Sequence, residues 1–238
     1  MPDFDPSARR RLRLLHMSDL HISSDVYADE AFRGFEVALE LGLNKGADVV
    51  LIAGDLFDNG RIKQPLMDQV WDMLGDVGRP VIVLPGNHDT VLVNGVRLDN
   101  TPSDVTVIQK PEGEMVYLKE FGLSVWGRPV YDHHPGFRPM ADVPPRSDDH
   151  WYVSMAHGLY MDPPDPLRAS PISAEEIGQA PCDYVALGHV HVFRDVSQNG
   201  VPAYYSGAPS GAQTKTVAIV DLDPMLGVSV SPLEIVLD

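Results

Sequence analysis

The sequence holds a single cysteine, Cys182, among 238 residues. One thiol cannot close an intrachain disulfide, and it excludes cysteine-based zinc ribbons and CxxC redox chemistry. A reducing compartment is the expectation. Long apolar runs are absent too, so no segment reads as a membrane span. The start, Met1-Pro2-Asp3-Phe4-Asp5, lacks the basic-then-apolar order of a secretory signal, which makes the cytoplasm the expected location. Positive charge is scarce: 18 Lys plus Arg stand against 34 Asp plus Glu, a formal net charge of −16. Such a surface on average repels phosphate backbones and anionic membranes, so a phosphate-bearing substrate needs a local source of positive charge. No repeat and no low-complexity tract breaks the chain. What is present suits an ordinary globular protein, with 44% hydrophobic residues and with 20 Gly and 21 Pro to make turns. Length and composition support one domain over residues 12–238, preceded by a flexible arm over residues 1–11. The basic cluster Arg9-Arg10-Arg11, with Arg13, reads as a solvated flank.

Hydrophobic patterning divides the chain into two halves. Leu12 to Met17 reads as an apolar strand, Asp29 to Leu43 as a helix with Phe32, Phe35, Val37, Ala38 and Leu41 on its apolar stripe, and Asp48 to Ala53 as a strand covered on both faces. A helix over Gln64 to Leu74 and a strand over Pro80 to Leu84 complete a β-α-β-α-β rhythm. After Thr101 short strands dominate: 105–109, 115–118, 123–126, 151–156, 184–187, 202–205, 216–221 and 228–236, with one further helix over Ser173 to Ile177. Tyr131 to Ser147, rich in Pro, His, Arg and Gly and without a period, is expected to be a long surface loop.

Polar residues gather where apolar strands end: Asp19-Leu20-His21, Gly54-Asp55, Asn87-His88, His157-Gly158 and Gly188-His189-Val190-His191. These are metal-ligand types. An Asp-x-His or His-x-His pair in an extended segment puts both side chains on one face, because strand side chains alternate with a period of two. The neighbouring glycines permit sharp turns and close backbone approach. Each piece alone is weak, since such spacings arise often by accident. Their ordered sum, with Gly-Asp-x-x-Asp and Gly-Asn-His-Asp included, is hard to reach by chance.

In these motifs, spread from Arg13 to Pro209, the sequence resembles the calcineurin-like metallophosphoesterases. The resemblance implies an α/β fold, a four-layer α/β/β/α sandwich of mixed sheets flanked by helices, with two metals at the strand ends. Carried over by residue, it implies that Asp19, His21 and His191 hold one metal and that Asn87, His157 and His189 hold the other, with Asp55 bridging. A carboxylate shared by two dications offsets their repulsion, and mixed oxygen and imidazole ligands suit Mn or Fe first, then Zn, Co or Ni, over Ca. A hydroxide held between such ions can attack phosphorus in line, with no covalent enzyme intermediate. The resemblance further implies that His88 protonates the departing alkoxide and that the Asp58 carboxylate hydrogen-bonds and orients it. The alternative for Asp58 is a cap on the loop, because Asp58-Asn59-Gly60 is also ordinary turn chemistry. Asp89 is expected to support its turn.

Three strings point more finely to SbcD-like DNA-repair exonucleases: Ala53-Gly54-Asp55-Leu56-Phe57-Asp58, Asp183 through His191, and Tyr204-Tyr205-Ser206-Gly207-Ala208-Pro209. Those nucleases carry a capping domain and work with an ATPase. No capping domain is expected here, which leaves room for a protein partner that supplies the missing recognition domain. The expected function is phosphodiester hydrolysis, nuclease-like or on nucleotides, acting on a phosphate ester such as a nucleotide or a nucleic-acid end. A phosphomonoesterase or protein phosphatase, and a metal-bound scaffold subunit, are the alternatives. Arg128, Tyr131, His133 and His134 on the long loop are candidates for reaching a phosphate, although such loop residues are more often simply solvated. His16 reads as a hydrogen-bonded core histidine. His150 carries no motif.

Overall fold

A computed structural model of the chain describes residues 9–24, 28–93, 98, 100–165 and 167–237. The first half follows the predicted alternation: β1 (Leu12–Met17), α1 (Ala28–Asn44), β2 (Val49–Ala53), α2 (Gln64–Asp76) and β3 (Val81–Leu84). A one-turn α3 (Thr90–Val93) leads to β4 (Val105–Val107), and these four strands run parallel in the order β1-β2-β3-β4. Every residue of β2 and of β3 is buried, as continuous apolar runs require.

The second half supplies β5 (Glu114–Leu118), β6 (Leu123–Gly127), β7 (Trp151–His157), β8 (Leu159–Tyr160), β9 (Pro171–Ile172), α4 (Ala174–Gly178) and β10 (Tyr184–Gly188). It ends with β11 (Phe193–Asp195), β12 (Ala203–Ser206), β13 (Thr216–Asp223) and β14 (Gly227–Glu234). β13 returns to the first sheet, antiparallel to β1, giving the order β14-β13-β1-β2-β3-β4; the second sheet runs β11-β12-β10-β7-β6-β5.

The two sheets pack face to face. Leu12, Leu14, Leu51 and Leu84 from the first meet Val125, Val153, Met155 and Tyr184 from the second in one apolar cluster. Outside the first sheet, α1 and α2 cover Leu15, Met17, Val50 and Ile52 with Phe35, Ala38, Met67, Val70 and Trp71. The buried stripe of α1 includes Leu39 and leaves Val37 and Leu41 half-buried at its margin. Outside the second sheet the cover is thin: the short α4, with its Ser173–Glu176 capping box, and buried loop residues such as Met140 pack on Tyr152, Val185 and Tyr205. Residues 131–147 form turns without a strand or helix, as predicted.

The basic flank is solvated as expected at Arg10 and Arg11, yet it is also partnered. Residues 1–8 of the expected arm lie outside the described residues, but Arg9 and Arg10 pack down, their guanidinium carbons 4.6 Å over the Trp151 ring and 4.7 Å over Phe121. Arg11 pairs with Asp223, and Arg13 grips Asp221 through Nε at 2.7 Å. Aromatic faces and carboxylates from distant strands give these cations partners, while Arg10 and Arg11 stay exposed, so the cluster is a solvated flank that also fastens the chain to the body.

Candidate metal centre

The candidate ligands sit at the carboxyl ends of β1, β2, β3, β7 and β10. Parallel pairing sets Gly188 of β10 opposite His157 of β7. Beyond β1 and β2 the two loops keep pairing, with Asp19 N–H donating to the Gly54 carbonyl and His21 N–H to that of Asp55, each at 3.0 Å. Glycine is obligatory at two of these exits. A Cβ on Gly54, which holds φ at 95°, would lie 2.0 Å from His157 Nδ1, and one on Gly86 would lie 2.2 Å from Asp55 Oδ1. Asp19, His21, Asp55 and His189 themselves adopt positive φ, a strained conformation for residues with side chains.

Three groups of donors converge, each with its ligand atoms within 4.8 Å of one another: Asp19, His21 and His191; His21, Asp55 and His88; Asp55, His157 and His189. His21 Nε2 and His191 Nε2 face each other at 3.3 Å, and two neutral ring acceptors at that distance repel unless a proton or a cation takes a lone pair. His157 Nε2 stands 3.2 Å from both Asp55 Oδ2 and Asn87 Oδ1, while its Nδ1 lies 2.9 Å from the Ala53 carbonyl, which can accept only a ring N–H. The ring therefore keeps Nε2 for the centre. Asp19 is fixed in turn: Ser18 Oγ donates to its Oδ2 at 2.6 Å and His189 N–H donates to the same oxygen at 3.0 Å. A donor set of carboxylate, amide oxygen and imidazole fits divalent transition metals.

Burial dominates the electrostatics. Burial alone would raise Asp55, but facing His157 and the His88 N–H at 2.9 Å hold its carboxyl well below the usual carboxylate range. Burial opposes the charge on His157 as well, yet Asp55 beside it pushes that ring up to about 9. Burial lowers His21, and it lowers His189 to about 4, so both are neutral at pH 7. The hydrogen bond with Asp19 raises His191.

The structure brings all seven expected ligands together with His88. It changes the part played by Asp58. His88 Nδ1 is held at 2.6 Å by the backbone carbonyl of Asp58, whereas the carboxylate is 3.8 Å away and lies nearer His21 Nδ1, at 3.4 Å. The same carboxylate accepts from the neighbouring Asn59 Nδ2 at 3.0 Å. Asp89 is fully buried and accepts the N–H groups of Phe57 at 2.8 Å, Gly86 at 2.9 Å and Leu56 at 3.2 Å, which ties the Asp55 loop to the Asn87 loop. Burial and the nearby Asp55 push this carboxyl up to about 7 against the pull of those three donors. His16 is a core histidine, its Nδ1 2.8 Å from the Tyr184 hydroxyl.

Of the long-loop candidates, three are committed elsewhere. Arg128 Nε donates to the Pro111 carbonyl at 2.9 Å, Tyr131 donates to the Gln109 carbonyl, and His134 faces Asp132 at 3.4 Å. His133 alone stands beside the centre, with its ring centroid 5.6 Å from that of His189. A cleft of about 270 Å³ opens at the Asp19–His21–His191 side, walled by Ser23, Glu30, Ser210 and Gly211. No sequence motif marks Glu30, whose carboxylate accepts from Gly211 N–H at 3.2 Å and pairs with Lys215 at 3.3 Å.

Residues 12–193 match the profile of a family described as calcineurin-like phosphoesterase. The chain belongs to this family. It is 24% identical over 222 residues to the uncharacterized metallophosphoesterase YhaO of Bacillus subtilis, covering 82% of this chain and 52% of that protein. It is 26% identical over 264 residues to SbcD of the nuclease SbcCD from the same organism, covering 90% and 67%. With the DNA double-strand break repair protein Mre11 of Aeropyrum pernix it shares 39% identity over 88 residues, which is 33% of this chain and 21% of that one. This calcineurin-like phosphoesterase thus spans about half the length of YhaO. A solved crystal structure aligns with it at a TM-score of 0.62 and 13% identity, covering 94% of this chain and 99% of the other, a likeness of fold. No helix among the described residues is long and apolar enough to cross a membrane.

Proposed function

We propose that this calcineurin-like phosphoesterase hydrolyses phosphodiester bonds with two divalent ions, Mn or Fe by preference. The observation that carries this is the position of Asp55, whose carboxylate belongs to two of the three donor groups at once. Asp19, His21 and His191 would hold one ion, Asn87, His157 and His189 the other, and Asp55 both. Ions held there supply a water of lowered pKa and neutralise the phosphate oxygens.

The chain's own residues do the rest. Asp55 stays ionised because His157 and the His88 N–H face it. His157 keeps its orientation through Ala53, and Asp19 through Ser18 and His189. His88, with Nδ1 engaged by the Asp58 carbonyl, has Nε2 left to deliver a proton to the departing alkoxide.

A diester preference is supported by the nuclease relatives, SbcD and Mre11. The net charge of −16 favours a nucleotide or a nucleic-acid end over the body of a duplex, because such a surface on average repels a long phosphate backbone. Recognition of a longer substrate would then fall to a partner protein. The buried thiol of Cys182 fits a reducing cytoplasm. The test is hydrolysis of a chromogenic phosphodiester against the matching monoester by Mn-loaded protein. Faster diester turnover is expected, and faster monoester turnover would contradict the preference.

A further inference from the structure

His133 stands over His189 yet belongs to none of the three donor groups that could grip an ion. Its place is fixed from both sides. Val130 N–H donates at 3.0 Å to the carbonyl of Pro85, on the loop that carries Asn87, and Ser170 N–H donates at 3.3 Å to the carbonyl of His134. The Ser170 hydroxyl meets His133 Nδ1 at 3.1 Å. Ser170 is fully buried with φ at 48°, and the start of the β8–β9 pair pins it, Leu159 N–H donating to its carbonyl at 3.0 Å. A buried serine held at positive φ is strained and persists only where its surroundings impose it. Among the described residues, Nε2 of His133 makes no hydrogen bond or ion pair. The Ser170 hydroxyl can donate to Nδ1, the arrangement that puts the ring proton on Nε2 and makes it a donor beside the centre.

We propose that His133, oriented by Ser170, donates a hydrogen bond to a non-bridging oxygen of the substrate phosphate on the side of Asn87, His157 and His189. The proposal rests on the phosphoesterase reading above. It adds a local donor for the phosphate on a chain of net charge −16, a task for which Arg128, Tyr131 and His134 are already committed elsewhere. His133 would touch the substrate, and Ser170 would act through it as a positioning residue.

The test uses the full chain loaded with Mn and reads binding of inorganic phosphate by calorimetry alongside KM and kcat for a chromogenic phosphodiester. His133→Ala is expected to weaken phosphate binding and to raise KM by about tenfold, the worth of one hydrogen bond to a charged group, with bound metal unchanged. His133→Gln, whose amide can still donate, should recover part of the loss. Ser170→Gly tolerates the positive φ and removes the orienting hydroxyl, so it should weaken phosphate binding by a smaller factor. Unchanged phosphate binding and KM in His133→Ala, in a protein whose turnover still collapses on Asp55→Asn, overturns this inference alone. Loss of metal from His133→Ala also overturns it, since the ring would then serve the ion. Wild-type protein that holds its metal but neither binds phosphate nor cleaves the ester overturns the phosphoesterase reading and this proposal with it.

Discussion

Asp55 and His157 face each other across the sandwich, Oδ2 to Nε2 at 3.2 Å, with both side chains essentially inaccessible to water. A buried carboxylate and imidazole this close share a proton that a divalent cation can displace. His157 pushed up to about 9 is protonated at neutral pH while no ion is bound, so an ion held there as proposed would compete with that proton. Metal affinity is therefore expected to fall as pH drops below about 9, with protons released on loading. Calorimetry of Mn binding in two buffers of different ionisation enthalpy checks this, and identical apparent enthalpies would contradict it.

Metal binding to the native state alone should raise stability. At a concentration about a hundredfold above the dissociation constant the gain is about 2.7 kcal/mol. Wild-type protein is expected to melt at a higher temperature with Mn than with chelator, and Asp55→Asn is expected to lose most of that difference. A shift of equal size in the variant would remove Asp55 from the metal centre.

His88 is engaged at Nδ1 by a backbone carbonyl and belongs to one donor group only, through its neighbours His21 and Asp55. His88→Ala is expected to spare metal content and to depress turnover by about 10²–10⁴-fold, most for poor leaving groups. Equal losses across a series of leaving groups would argue that the ring does not deliver the proton.

Asp89 makes its contribution through structure. Three backbone N–H groups point at its carboxyl, so Asp89→Asn would turn an amide N–H₂ toward at least one of them. A loss of about 1–3 kcal/mol is expected in denaturant melts, with weaker metal loading because the Asp55 and Asn87 loops come untied. An unaltered melt would show that the tie is dispensable.

Much of this arrangement is legible in the sequence. Val49–Ala53 and Val81–Leu84 read as buried parallel strands because no polar residue interrupts them, and the ligands follow each strand within a few residues. The metal-ligand residue types and the Gly punctuation at Gly54 and Gly86 sit where chain geometry requires them. Other features leave no such trace. β8, β9 and β11 are two or three residues long, too short for a period, and depend on partners supplied by the fold. The grip on His88 comes from a carbonyl, which every residue possesses, so no side-chain pattern could announce it. The partners of Arg9 and Arg10, Trp151 and Phe121, lie more than a hundred residues away, so the charge run alone could not announce them.

His16 gives the fold its own pH dependence. Burial pushes this histidine down to about 3. In the unfolded chain it would take a proton near pH 6.5, so stability is intact above that value and is lost as pH falls toward the folded pKa, by up to about 1.4 kcal/mol per pH unit. His16→Gln keeps a partner for Tyr184 but cannot ionise. Its stability is expected to fall less steeply from about pH 6 to about pH 4 in urea titrations. Matching slopes would exclude His16 as the source.

Whether Asp55 serves a two-ion hydrolytic centre is decided most directly by hydrolysis of a chromogenic phosphodiester, using protein stripped of metal and reloaded with Mn, with Asp55→Asn beside it. Turnover is expected to appear on reloading, to disappear with chelator and to be abolished in the variant. Turnover that persists in Asp55→Asn at the wild-type rate, or its absence from a wild-type protein shown to carry two ions, would contradict that assignment.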